Sequence, residues 1–339
     1  MRQELTEMSN LSLLDLLQQS NTYQSLVETL TAQFSGVECA QTSLNQQIDR
    51  SKPWLRGLHG ASTAYLLSAL AADFADKSFL IVVPTQHEAE KIIQDLPAYH
   101  FEEPHLFPQW QNFLYDGIAP TKNVVAERLI CLYQLLKGDR TFIVTSIQAL
   151  MHKILPQSVV ESAFLTLRIG DEIAPDKVVE QLLHNGYQRV DLVEVKGELA
   201  RRGDILDVYP LTTDAPIRIE FFGDEIDAIR LFDPASQRSV TDRTGDNTEA
   251  ITLCPVREII LSPQTLDLWK TQAETLIQNN ESPKYRNAVN EITNRLETER
   301  NPEGLEALLP MLYEDTCTLM DYLSPVSYTH LTLPTIYSV

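Results

Sequence analysis

Phe79-Leu80-Ile81-Val82-Val83, closed by Pro84 and Thr85, is the stretch that decides the fold. An unbroken short apolar run of this kind suits a strand buried on both faces, as in a parallel sheet covered by helices. The flanking segments supply those helices. Ser62 to Phe74, rich in Ala and Leu, reads as one. Thr85 is placed to cap a second, running through Leu96, with Glu88 at the capping-box position. Asn123 to Lys137 is amphipathic and stops at Gly138. Phe142-Ile143-Val144 is a second buried strand, with Thr145 and Ser146 reading as caps after it. Strand, helix and strand in this order predict βαβ units and a parallel sheet. The polar stretch before them, through Asp49, has a helical period and reads as an appended helical hairpin.

Beyond about residue 159 the pattern changes. A helix, Pro175 to His184, is closed by Asn185-Gly186, and strands then dominate. Val190 to Val195 and Glu198 to Tyr209 flank Lys196-Gly197, a hairpin signal. Ile217 to Phe222 and Glu225 to Phe232 flank Gly223-Asp224, a second one. The polar loop Pro234 to Glu249 marks a boundary. From Ala250 come short strands, Ile251 to Cys254 and Glu258 to Leu261. Three helices follow, Pro263 to Gln278, Pro283 to Glu299 and Pro302 to Tyr313, each opened by a proline. The last fourteen residues, 326–339, hold no Asp, Glu, Lys or Arg. A terminal strand fits them less well than a tail foreign to the chain, so the chain is expected to stop there rather than finish.

The 339 residues carry a net charge of −20, with 43% hydrophobic and 22% charged side chains. That composition suits a soluble protein of two or three domains. No apolar run is long enough to span a bilayer, and the N-terminus is no signal peptide, so a cytoplasmic location and no membrane partner are expected. Cys39, Cys131, Cys254 and Cys317 are far apart, and the histidines lack ligand spacing. Neither a metal site nor a disulfide framework is expected. So acidic a surface repels a phosphate backbone, which makes the chain alone a poor DNA binder.

Leu55 to Ala64 sits where a phosphate-binding loop would be. Such a loop needs G-x-x-x-x-G-K-[ST], because its glycines wrap the phosphates, its lysine neutralises them and its hydroxyl holds Mg²⁺. Aligned on Gly57, the later glycine is Ser62, the lysine is Thr63 and the hydroxyl is Ala64. Gly57, Gly60, Ser62 and Thr63 therefore read as a degenerate P-loop that starts a helix. The expected class is α/β, a parallel-sheet, P-loop-NTPase-like (degenerate) domain with an inserted small antiparallel α+β domain. Its boundaries are 1–49, 50–158, 159–249 and 250–325, with the tail at 326–339. No catalytic residues are expected: Asp73, Asp76, Glu88 and Glu90 read as solvated faces. The aromatic run Phe107 to Asp116 reads as core packing, since it lacks the interleaved cations of a base-stacking platform.

In Ile217 to Phe222 alternate side chains face opposite sides of a sheet. Ile217, Ile219 and Phe221 take the core, leaving Arg218, Glu220 and Phe222 outside. Arg201 and Arg202, on a preceding strand, are in range to join them. Two arrangements satisfy the pattern equally. In one, Arg and Phe form an exposed protein-binding hot spot. In the other, Phe222 tucks under the Gly223-Asp224 turn and Arg218 pairs with Glu220 or a neighbour.

The runs Gly197 to Pro210 (GELARRGDILDVYP) and Ile217 to Asp227 (IRIEFFGDEID) resemble the UvrB homology module. That module is shared by the excision-repair protein UvrB and the transcription-repair coupling factors. The resemblance extends from about Trp54 to Leu323. Two departures separate the relatives. UvrB keeps an intact P-loop, whereas Ser62, Thr63 and Ala64 break the motif here. UvrB also carries a tyrosine-rich hairpin that grips DNA, whereas only Gly117 to Lys122 links Tyr115 to the next helix. Both departures are similar to the coupling factors. The resemblance then implies UvrA as partner, met at Arg202, Arg218 and Phe222, with no cofactor in this portion. It implies ATP, Mg²⁺, RNA polymerase and double-stranded DNA for the family's other domains, which form a translocase, and a C-terminal domain that masks the UvrA-binding surface. The expected function is to link stalled RNA polymerase to nucleotide excision repair. The alternative is a UvrB-type or other P-loop ATPase half acting on damaged DNA, which needs nucleotide binding at Gly57 to Thr63.

Overall fold

The computed structural model of the protein describes residues 14–35, 55, 57–99, 104–110, 119–237, 248–280, 282–299 and 302–323. The chain divides into two compact units, one of residues 1–106, 140–147 and 323–339, the other of residues 107–139 and 148–322.

In the first unit β1 (Phe79–Val83), β2 (His105–Phe107) and β3 (Phe142–Ser146) form a sheet in the order β1-β3-β2. β1 and β3 run parallel, from Phe79 opposite Phe142 to Val83 opposite Ser146. Thr145 and Ser146 are thus strand residues and not caps. Val82 and Val83 extend the ladder opposite them, and Thr145 and Ser146 are both buried. The helices Ser62–Asp73 and Gln86–Asp95 cover the sheet through Ala64, Leu67, Ala89 and Ile92, which pack on Ile81 and Val144. As expected, the Thr85 side chain accepts the Glu88 N–H, at 3.2 Å. The helix Asn21–Ser35 lays Tyr23, Leu26 and Leu30 on Leu66, Ala69 and Leu70. Its Tyr23 hydroxyl donates to Asp73 Oδ2 at 2.6 Å. The expected second arm of that hairpin lies outside the described residues.

The second unit holds two antiparallel arrangements. β4 (Leu165–Arg168) pairs antiparallel with β10 (Ala250–Leu253). Between them in sequence come β5 (Gln188–Arg189), β6 (Glu198–Arg202), β7 (Ile205–Val208), β8 (Ile217–Phe222) and β9 (Glu225–Leu231), which form one sheet in that order. β5 and β6 are parallel; the other pairs are antiparallel. The protein is therefore mixed α/β, with a parallel sheet and separate antiparallel ones. The helix Pro175–His184 buries Val178 and Leu182 against Leu199, Leu206 and Ile219.

Four expected elements differ. Val190 to Val195 is not a strand: the Glu198 carboxylate takes the N–H groups of Glu194 and Val195, at 2.8 and 2.9 Å. Donors held by a side chain are lost to a ladder. Glu198 to Tyr209 is two strands, because the chain reverses at Gly203 (φ +61°) and Asp204. Glu258 to Leu261 is irregular: Ile260 exchanges both backbone bonds with the Tyr313 hydroxyl. Pro302 opens no helix, since Gly304 adopts φ +73°, and a 3₁₀ turn, Glu306–Leu308, leads into Leu309–Leu312.

One buried polar knot ties this unit together. Arg128, on the helix Lys122–Lys137, donates from Nε to Glu258 Oε1 at 2.6 Å and from Nη1 to the Pro108 carbonyl at 2.7 Å. Its guanidinium lies over Phe107 and Trp110, at 4.4 and 5.2 Å from the ring centroids. Trp110 Nε1 donates to the same Glu258 oxygen. Phe107 and Trp110 are thus packing residues; the rest of that aromatic run, from Gln111, lies outside the described residues.

Candidate protein-binding face

The outer face of the five-stranded sheet, opposite the helix Pro175–His184, gathers the predicted side chains in two rows. Arg202 stands opposite Ile205, Ile205 opposite Glu220, and Glu220 opposite Ala228. In the neighbouring row Ala200, Asp207, Arg218 and Arg230 stand side by side. Phe221 pairs with Ile226, which leaves Asp227 as an extra residue in β9. Phe222 follows at the strand end and is 82% exposed. The next residue, Gly223, turns the chain at φ +66°.

Of the two arrangements left open by the sequence, the exposed phenylalanine comes from one and the paired arginine from the other. Phe222 does not tuck under its turn. Arg218 is paired, but with Asp207: Nε to Oδ1 is 2.7 Å and Nη2 to Oδ2 is 2.9 Å. The guanidinium also lies over the Phe232 ring, 4.7 Å from its centroid. This carboxylate fork raises the Arg218 pKa above its already high ordinary value. Glu220 pairs instead with Arg230, at 3.2 Å. Arg202 is exposed and donates from Nη2 to the Asp191 carbonyl at 2.6 Å. Arg201, one residue back, faces the helix side of the sheet, where it pairs with Asp176. It therefore does not join the Phe222 face.

A small apolar cluster of Val193, Ala200 and Phe232, with Val190 and Tyr209 against it, covers the Arg218 end of the face. The other end stays open, with Ile205 37% exposed beside Glu220 and Phe222. The sheet thus brings Arg202, Arg218 and Phe222 to one surface in three states: anchored at the rim, half-buried and free. Asp207 and Phe232 are the residues that sequence reasoning missed. The available signal was Asp207 itself, an acid between two apolar residues in a strand whose other outward position neighbours an arginine strand.

At the turn before the helix Ser62–Asp73, Gly57 and Gly60 adopt φ +84° and +58°. The Ser62 hydroxyl accepts the His59 N–H at 2.7 Å and donates to the His59 carbonyl at 2.8 Å. Thr63 lies in the first helical turn and Ala64 is buried. Among the described residues no group of His, Cys, Asp and Glu is placed to hold a metal ion. Likewise, no described helix is long and apolar enough to cross a membrane. The thiols of Cys131 and Cys254 are buried, which pushes them up to about 12 and about 11. Cys39 lies outside the described residues.

Residues 165–258, which contain β4 through β10 and hence the whole five-stranded sheet, match the family model of the UvrB interaction domain. This portion is similar to the domains of that class. Over most of its length the chain is similar to bacterial proteins named transcription-repair-coupling factor. It is 32% identical to that of Myxococcus xanthus over 79% of this chain and 22% of the relative. For Mycobacterium bovis the identity is 30%, over 71% and 20%. For Escherichia coli K12 it is 28%, over 76% and 21%. The chain belongs to the transcription-repair-coupling factor family, and it spans about a fifth of the length of these relatives.

Proposed function

We propose that this chain is the UvrA-recruiting module of a transcription-repair coupling factor and performs no chemistry itself. The observation that carries it is Phe222, 82% exposed on the face that also presents Arg202. An aromatic side chain flanked by arginine is the usual composition of a binding hot spot. The UvrB interaction domain would form the contact. Contacts with RNA polymerase and double-stranded DNA, and ATP with Mg²⁺, would belong to other parts of the whole protein. For the turn at Gly57 to Thr63, absence of nucleotide binding is favoured by Thr63 at the lysine position and by the Ser62 hydroxyl, which bonds the His59 backbone twice.

The test is titration of UvrA into the chain. Phe222→Ala and Arg202→Ala should each weaken binding by about 2 kcal/mol, roughly thirtyfold. Unchanged affinity in both variants would remove the proposal. Titration with ATP and Mg²⁺ should give no heat; saturable binding at the Gly57 turn would favour the ATPase alternative.

A further inference from the structure

The five-stranded sheet is an insertion. The chain leaves for it after Phe164, through β4, and returns from it through β10 to Val256. The insertion has a core of its own, in which Val178, Leu182, Leu199, Leu206, Ile219 and Ile229 pack together. A domain joined to its carrier by two chain crossings turns on them unless an interface stops it.

One buried residue binds both crossings. Asn185, 1% exposed at the end of the helix Pro175–His184, donates from Nδ2 to the Ala163 carbonyl at 2.7 Å. Its own carbonyl accepts the Val256 N–H at 3.0 Å. Beside it the Tyr187 hydroxyl donates to the Cys254 carbonyl, also at 3.0 Å. Gly186 and Gly197, at φ +93° and +89°, form a socket for the Val256 side chain. A Cβ on Gly186 would meet Val256 Cγ2 at 2.9 Å, and one on Gly197 would meet Cγ1 at 3.4 Å. Three further contacts fix this junction to the helix Lys122–Lys137. Phe164 stacks on Tyr133, with ring centroids 3.9 Å apart. Lys122 Nζ donates to the Lys196 carbonyl at 2.6 Å, an approach open because Gly197 carries no Cβ. Glu258, two residues past Val256, takes the Arg128 bond.

We infer that Asn185 and the Val256 socket form a clasp that holds the inserted sheet at one angle to the helix Lys122–Lys137, and that the clasp opens while the core of the sheet stays folded. The clasp consists of a few hydrogen bonds and one half-buried valine at turns and chain ends, whereas the sheet is held by a continuous apolar core. Segments held by few apolar contacts open at lower free energy than a core does. Phe222 stands at the other end of the sheet from Gly197: Leu199, Val208 and Ile217 pair at the clasp end, Arg202, Ile205 and Glu220 at the other. Six strand residues span roughly 20 Å, so a small turn at the clasp swings Phe222 through a wide arc. A closed clasp therefore sets the direction in which the exposed ring is offered. None of this depends on which partner the ring meets.

The experiment compares the full 339-residue chain with Asn185→Ala and Val256→Ala by amide hydrogen exchange and residual dipolar couplings. In the unaltered chain the amides of β6 to β9 and of the helix Lys122–Lys137 should fit one alignment tensor. Asn185→Ala should speed exchange of the Val256 N–H about tenfold, the loss of about one hydrogen bond, and leave the β7 and β8 amides at their former rates. In both variants the sheet couplings should shrink or require a second tensor, with the sheet's own chemical shifts kept. Equal acceleration at Val256 and in β7 and β8 overturns the clasp, because the junction would then open only with the core. A single tensor in both variants also overturns it. Should Asn185→Ala fail to fold, Val256→Ala decides by the couplings alone.

Discussion

Arg218 and Asp207 hold each other by two parallel hydrogen bonds, 2.7 and 2.9 Å long, across the β7–β8 ladder. The acid is nearly buried (7% of its side chain exposed) and the base is at 18%. Removing one partner strands the other's charge in a poorly hydrated place. Asp207→Ala should therefore lower the unfolding free energy by about 2–3 kcal/mol. Arg218→Ala should do nearly the same, and the double variant should cost less than the sum. Urea denaturation of the four proteins closes the cycle. Loss of UvrA binding in Arg218→Ala would thus mix a weakened scaffold with a lost contact, which a stability measurement separates.

Phe221 and Phe222 are neighbours in sequence and opposites in environment, 6% and 82% exposed. Phe221→Ala should destabilise by about 3–5 kcal/mol through the cavity it leaves. Phe222→Ala should change stability by less than about 0.5 kcal/mol. Thermal or chemical denaturation of the pair checks the assignment of faces without any partner present.

Arg128 and Glu258 are both fully buried, at 0% and 1% side-chain exposure. Glu258→Ala should cost about 3–5 kcal/mol, because it leaves a buried cation beside Phe107 and Trp110. Replacing both partners together with apolar residues of similar volume should recover much of that loss. Denaturant midpoints of the single and double variants decide it.

Two half-buried groups should oppose each other as pH changes. Burial, and then the nearby Glu258 and Glu303 charges, raise Glu306 from 4.5 to about 7. Between those values the folded state keeps a proton that the unfolded state has released, so stability falls as pH rises. Burial, and then Arg128, lower His152 from 6.5 to about 4. Across that window the unfolded state holds the extra proton, so stability rises with pH. Glu306→Gln should therefore remove the falling component. Its Tm should climb from pH 4.5 to 6.5 more steeply than that of the unaltered chain, and exceed it above pH 7. Parallel profiles for the two proteins would contradict the assignment.

What the sequence made legible was local. The apolar run at Phe79, the Thr85 cap and the Gly223-Asp224 hairpin each depend on a few adjacent residues, and all three are present. The faces of β8 followed from its period of two, which also forces Arg201 and Arg202 to opposite sides. The remainder was set by distant residues. β5 pairs in parallel through two residues only, too short to leave a pattern. Val190 to Val195 looks like a strand until the Glu198 side chain takes its N–H groups. Asp207 meets Arg218 through a register that the intervening loop sets. Glu258 reaches Arg128 across 130 positions, which no window along the chain can show.

Phe222 standing bare in water has a colloidal consequence. A hydrophobic ring presented this openly gives two copies of the chain a place to adhere. Two such bodies each carry twenty surplus negative charges; within one Debye length, about 8 Å, their repulsion is felt in physiological salt. A net charge of this size disperses like molecules while leaving the exposed ring available to an unlike one. Raising the salt should therefore bring on self-association through the same ring that is proposed to meet the partner.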